Sequence, residues 1–200
     1  MDNAVLTLAL TGLHWVARIA LIVSVADLLT GFVHWLEDNY GEEDWPIVGR
    51  SVIAPNLLHH TQPRAFLENN WWRSADYQVY ASIFVLGAAF LGGWLCRDLV
   101  MVFVIAANGN EVHKWAHRTK VENGRFITWL QDHRVIQSRR HHANHHRRLH
   151  KSHYCTITLW VNPLLDNTGF WRFLEFLIAA FSGVLPRRED FMVEEKMGST

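Results

Sequence analysis

A chain of 200 residues has room for one domain and not comfortably for two. Nineteen basic side chains balance nineteen acidic ones, so no net positive charge points to a nucleic-acid partner. Two cysteines, Cys96 and Cys155, exclude both a disulfide framework and a CxxC metal site, whereas thirteen histidines and ten tryptophans are far above ordinary usage.

The charge balance is local. Residues 37–44 hold five acids, and residues 134–151 hold six bases and no acid. The chain begins Met1-Asp2-Asn3, without the basic start of a cleaved signal peptide, so none is expected. Mean hydropathy is near zero because apolar blocks are averaged with a polar second half. Residues 5–36 form the first apolar block, interrupted by Arg18 and Asp27. At about 1.5 Å per residue a helix there crosses a hydrocarbon core of about 30 Å and still protrudes. Residues 77–95 are nineteen residues without a charge. Residues 99–117 resume the apolar pattern after a break at Arg97 and Asp98, so the two read as a helical hairpin. Residues 170–185 are apolar but short and carry Arg172 and Glu175, which suits an interfacial helix.

The expectation is an all-α integral membrane bundle of about three to four spans, one domain over residues 1–200, with a histidine-rich helical cap over 118–186. A soluble helical protein with two buried hairpin helices is the alternative, and nineteen uncharged residues exceed what a core helix needs. Three crossings place His34, His59-His60, His113 and His117 on one side. The basic run at 134–151 predicts that this side is cytoplasmic, in a bacterial inner membrane or the endoplasmic reticulum.

His113 and His117 stand four apart on a predicted helix, where two imidazoles project from one face and grip one metal. Asn110 precedes them on that face. The second cluster runs Arg139-Arg-His-His-Ala-Asn-His-His-Arg-Arg-Leu-His150. On a helix at about 100° per residue, with His141 at zero, His145 falls near 40°, His142 near 100°, His146 near 140° and His150 near 180°. Arg140, Arg147 and Arg148 occupy the other half. A basic stretch that only binds anionic headgroups has no need of such sorting. His34 and Asp38 also stand four apart, with Asp27 two turns earlier in an apolar run where a carboxylate needs a partner. Asp27 is expected to orient His34 from behind. His59 and His60 are expected on a loop after Pro55, and His14, His133 and His153 stand apart as bystanders.

The candidate ligands are therefore His34, Asp38, His59, His60, His113, His117, His141, His142, His145, His146 and His150. That is too many for one tetrahedral zinc, and two six-coordinate metals fit the number. Imidazole suits zinc, copper, iron and nickel alike. Soluble di-iron bundles rely on glutamates, and the scarcity of carboxylates here favours a membrane type of di-iron site. A membrane metal carrier, or a lipid-binding scaffold with a structural zinc, is the competing reading.

Gly31-Phe-Val-His-Trp-Leu-Glu-Asp38, Leu58-His-His60, Asn110-Glu-Val-His-Lys-Trp-Ala-His117, His141-His-Ala-Asn-His-His146 and Tyr154-Cys-Thr-Ile-Thr-Leu-Trp-Val-Asn162 occur in that order, followed by Gly169-Phe-Trp171. The set resembles the plasmanylethanolamine desaturase family, the Kua or CarF-like proteins, with the plant fatty acid desaturase 4 type as relatives. The resemblance implies a lipid desaturase that makes the vinyl ether double bond of plasmalogens with two irons, O2 and two external electrons. His113 and His117 then match the family's first histidine box, and His141, His142, His145 and His146 its second. No dinucleotide, haem or cluster motif is present, so the electrons would come from a protein such as cytochrome b5 or ferredoxin. Arg139, Arg140, Arg147 and Arg148 are expected to hold the phosphate of a membrane phospholipid. Its chain is expected between the first helix and the hairpin, against Phe84, Phe90 and Phe103.

Overall fold

A computed structural model describes residues 3–147 and 151–187, and among these every regular element is helical. Helix α1 runs from Asn3 to Tyr40. Its 38 residues make it about 57 Å long, enough to cross about 30 Å of hydrocarbon with its last turns to spare. Helix α3, Trp71–Leu91, is the second helix long and apolar enough to cross a membrane. Both show apolar side chains outward: Leu8, Leu13, Val16 and Leu21 on α1, and Ile83, Phe84 and Phe90 on α3. A collar of this kind is stable against lipid rather than water. Phe84 and Phe90 therefore face away from the bundle, contrary to the expectation that they line a chain-binding path.

The expected third span is divided. Helix α4 covers Arg97–Ala106 and helix α5 covers Gly109–His117. At the break, Asn108 turns its side chain back to the Val104 carbonyl and accepts from Trp71 Nε1. Gly109 sits against Thr30, where an added Cβ would stand 2.7 Å from the threonine methyl. The break thus brings α5 close to α1. Arg18 and Asp98 explain one another: the guanidinium donates to both carboxylate oxygens at 2.7–3.1 Å, joining α1 to the start of α4. Deeper along this pair, Ile22, Ala26, Val102, Ala106 and Ile157 form an apolar core.

His59 and His60 lie on a helix rather than a loop. A five-residue π-helical segment, Gly49–Ile53, leads into α2, Ala54–Thr61, and Pro55 in its first turn is pre-set for helix. Helix α6, Lys120–Asp132, opens with a capping box between Thr119 and Glu122. Helix α7, Arg139–Arg147, carries the histidine cluster. Helix α8, Val161–Asn167, is followed by α9, Phe170–Ser182, which buries Trp171 and Glu175 and exposes Phe173, Phe176 and Phe181. Its burial pattern is therefore amphipathic, with an apolar face left outward. A second core of Trp35, Tyr154, Cys155, Leu165 and Trp171 joins α1, α8 and α9 to the segment after α7.

Candidate metal centre

Four helices deliver nine candidate ligands to one end of the bundle, in two groups. His59, His113, His117, His142 and His146 form one, and His34, Asp38, His60 and His145 the other; within each, the ligand atoms all lie within 4.8 Å of one another. The helical period does the sorting. His113 and His117 share a face of α5, His34 and Asp38 share a face of α1, and His142, His145 and His146 project from one side of α7.

The distances fit metal ions. His113 Nε2 lies 2.9 Å from His142 Nε2 and 3.2 Å from His117 Nε2, and His146 Nε2 lies 3.0 Å from His142 Nε2. Adjacent nitrogens on one octahedral ion, each at about 2.1 Å, stand about 3.0 Å apart. In the second group Asp38 is the hub. Its Oδ1 is 2.9 Å from His60 Nε2, and its Oδ2 is 3.3 Å from His145 Nε2 and 3.5 Å from His34 Nε2. His34 Nε2, His59 Nε2 and Asp38 Oδ2 are buried without a hydrogen-bond partner. Such atoms are costly in a protein interior, and a shared cation removes the cost.

The backs of the rings point the same way. His34 Nδ1 donates to the Tyr154 carbonyl at 3.0 Å, His145 Nδ1 to the Ser152 carbonyl at 2.8 Å, and His59 Nδ1 to the Asn56 carbonyl. A proton held at Nδ1 leaves the Nε2 lone pair facing inward. Burial holds His59 and His142 well below the usual imidazole range, and lowers His60 and His145 despite the nearby Asp38. Neutral imidazole is the form that ligates metal.

Several expected site residues stand elsewhere. Asp27 is fully buried, but it does not partner His34: it accepts from Ile157 N–H at 2.7 Å, Thr158 N–H at 3.0 Å and the Thr158 hydroxyl at 2.5 Å. It clamps the segment whose Tyr154 carbonyl holds His34, so its influence is one step further back. His141 lies outside both groups, its Nε2 accepting from Asn162 Nδ2 at 3.1 Å and its ring beside His153. Asn110 donates to the Ser74 carbonyl, tying α5 to α3. Arg139, Arg140 and Arg147 are exposed on the outer side of α7. His150 and Arg148 fall outside the described residues. Of the three bystanders, His14 is exposed, His133 bonds its own helix at the Trp129 carbonyl, and His153 pairs with Asp166.

Sequence reasoning missed Asn56, which donates to Asp38 at 2.7 Å, and the carbonyls of Asn56, Ser152 and Tyr154. It also missed Arg187, whose guanidinium reaches the Asp38 and Gly41 carbonyls while its N–H bonds the Asn39 carbonyl at 2.7 Å. A cation there satisfies the open C-terminal end of the helix that carries two ligands. Backbone carbonyls leave no mark in side-chain spacing.

Two cavities meet at the metal groups. One, of about 240 Å³, runs between α1, α3 and α4 past Leu29, Val33, Val85 and Phe103 to His34 and His113. The other, of about 510 Å³, is polar and opens past Arg50 and Arg73 to His59 and His113. Glu37, Asn56, Gln78, Asn110 and His113 line both.

Residues 23–189 match a family model described as a lipid desaturase domain. Mouse plasmanylethanolamine desaturase 1 is 36% identical over 193 residues, covering 86% of this chain and 68% of the mouse protein. The plasmanylethanolamine desaturase of Myxococcus xanthus is 31% identical, over 84% of this chain and 62% of its own. Chloroplastic fatty acid desaturase 4 of Arabidopsis thaliana is 33% identical, over 82% of this chain and 51% of its own. No solved structure matches. With the match spanning every residue of the two candidate ligand groups, the chain belongs to the lipid desaturase family.

Proposed function

We propose that the chain is a membrane di-iron desaturase that introduces the vinyl ether double bond into the alkyl chain of a plasmanylethanolamine lipid. The observation that carries this reading is the meeting of an apolar slot with two separate ligand groups, at His34 and His113. A slot between membrane helices suits an alkyl chain, and its walls of Leu29, Val33, Val85 and Phe103 keep water from the reacting carbons. His59, His113, His117, His142 and His146 would hold one iron, and His34, Asp38, His60 and His145 the other. Bound iron would supply the oxidising power that no side chain has for removing hydrogen from an unactivated C–H bond. Atoms balance when two hydrogens from adjacent carbons, two external electrons and two protons convert O2 to two waters.

The electrons would come from a carrier protein such as a cytochrome b5 or ferredoxin. The exposed arginines of α7, Arg139, Arg140 and Arg147, suit an acidic carrier, and the helix that bears them also bears three ligands. The same basic segment would place the metal end on the cytoplasmic side of a bacterial inner membrane or the endoplasmic reticulum. The likeness to fatty acid desaturase 4 supports a second reading, desaturation or hydroxylation of an acyl chain.

Expression in a host that makes ether lipids but no plasmalogens separates the two. Acid-labile vinyl ethers, released as aldehydes by mild acid, are expected, along with two irons per purified chain and loss of product in His117→Ala. New acyl double bonds without vinyl ethers would establish the second reading instead. One zinc per chain and no iron would sink both.

A further inference from the structure

The polar cavity has charges that the metal groups do not use. Arg50 and Arg73 line it, both are exposed, and among the described residues neither has an ion-pair partner. Arg50 comes from the π-helical segment before α2, and Arg73 from the first turn of α3, beside Trp71 and Trp72. Tryptophans at a helix end mark the level of lipid headgroups. Two guanidiniums from different elements that line one cavity at that level offer charge-assisted donors to a phosphodiester. Two acidic side chains, Glu37 and Asp76, line the cavity as well. Asp76 is three residues from Arg73 on α3, yet the two form no ion pair although they line the same space. Its Oδ1 accepts from the Tyr77 N–H, which leaves the other oxygen available.

We infer that this cavity is the headgroup site: Arg50 and Arg73 hold the lipid phosphate, and Asp76 receives the ammonium of a zwitterionic phosphoethanolamine head. The inference rests on the desaturase reading and deepens it by naming the residues that select the lipid. The arginines first expected to do this work, Arg139, Arg140 and Arg147, line neither cavity. Because five residues, among them His113 and Asn110, line both cavities, a head in the polar one leaves its chain at the entrance of the apolar slot. The carbons presented to the metal groups are then those nearest the head. A purely anionic head, such as phosphoglycerol, meets the same arginines but offers Asp76 only hydroxyl groups, with no cation to pair with its charge.

The test uses the full chain in detergent with equal amounts of a 1-alkyl-2-acyl phosphoethanolamine and its phosphoglycerol counterpart, with bound lipid counted by native mass spectrometry. Wild type should favour phosphoethanolamine by about tenfold, and Arg50→Ala/Arg73→Ala should weaken both lipids by about tenfold or more. Asp76→Asn should keep phosphate binding but lose the preference between heads. Thermal unfolding and metal content of each variant report whether it folds. Folded arginine variants that bind both lipids as wild type does would overturn the proposal, as would an unchanged preference in Asp76→Asn. Retained phosphoethanolamine binding with no vinyl ether formed in cells would sink the vinyl ether reading while leaving the headgroup site standing. Vinyl ether formation with an unchanged apparent KM in Arg50→Ala/Arg73→Ala would do the reverse.

Discussion

His113 and His142 lie 29 residues apart in sequence, on different helices, and their Nε2 atoms lie 2.9 Å from one another. One shared proton would satisfy that contact alone. Yet His113 Nε2 is also 3.2 Å from His117 Nε2, and His142 Nε2 is 3.0 Å from His146 Nε2. A single proton serves only one such contact, whereas a cation at the centre serves all of them.

His142→Ala should therefore empty one metal position and leave the one built around Asp38. The expected result is a fall from two metal ions per chain to one, with lipid turnover lowered by about a hundredfold or more. Elemental analysis beside a turnover assay measures both. A His142→Ala protein that still carries two ions would refute the division into two groups. Stripping the wild type with a chelator should lower its unfolding temperature by about 5 °C or more, since bound metal stabilises only the folded chain.

Asp27 joins α1 to a segment 130 residues later, and its three bonds all run to Ile157 and Thr158. Asp27→Ala leaves two buried N–H groups unpaired and should cost about 3 kcal/mol. It should also loosen the Tyr154 carbonyl behind His34, weakening metal binding by about tenfold. Asp27→Asn keeps one acceptor and should cost less. Thermal unfolding in detergent ranks the three proteins, and an Asp27→Ala chain as stable as wild type would show that the clamp is dispensable.

What the sequence made legible is what the helical period controls. His113 with His117, and His34 with Asp38, each lie one turn apart, and both pairs converge as the spacing requires. On α7 the period also contained its own correction. His145, His142 and His146 lie at about 40°, 100° and 140°, centred near 90°, so His141 at zero stands a right angle away from their midline. Its bond to Asn162 is in keeping with that angle. Pairings over long separations were not legible. Nothing local says that Asp27 reaches Thr158, that Arg187 caps α1, or that the Tyr154 carbonyl faces His34. The helix at His59 and His60 was hidden because Pro55 reads equally as a breaker and as a first-turn residue.

Glu122 closes the cap of α6 and also pairs with Arg64. The Arg64 hydrogen bond comes first, then the Thr119 bonds, and together they lower its carboxyl to about 2. A depressed carboxyl stabilises the fold above its unfolded value and loses that contribution as pH falls through the folded one. The window is therefore from about pH 4.5 down to about 2. Glu122→Gln should speed hydrogen exchange of the first α6 amides by about fivefold at pH 7. Local protection compared across pH should show the gap to wild type closing as pH approaches 2, and a gap independent of pH would exclude the carboxylate as its source.

Gly31 lies where α1 meets the segment after α7. A Cβ there would stand 2.5 Å from Cys155 Sγ and 3.0 Å from the Cys155 backbone. The sulfur contact can be relieved by shortening the side chain, but the backbone contact cannot. Gly31→Ala should cost about 2 kcal/mol, and Gly31→Ala/Cys155→Ala should recover only part of it. Full recovery in the double variant, read from unfolding temperatures, would place the whole clash in the sulfur.

Val85 lines the apolar cavity from α3 and is not among the residues shared with the polar one. It is remote in sequence from every ligand, so enlarging it obstructs the chain path without altering the metal groups. Val85→Trp should retain the wild-type metal content and headgroup preference while turnover of a long-chain lipid falls by about tenfold or more. A lipid with a shortened chain, which need not pass Val85, should be turned over nearly as well as by wild type. If long and short chains lose equally, the slot is not where the chain lies, and the oxidised carbons must reach His34 and His113 from the polar side instead.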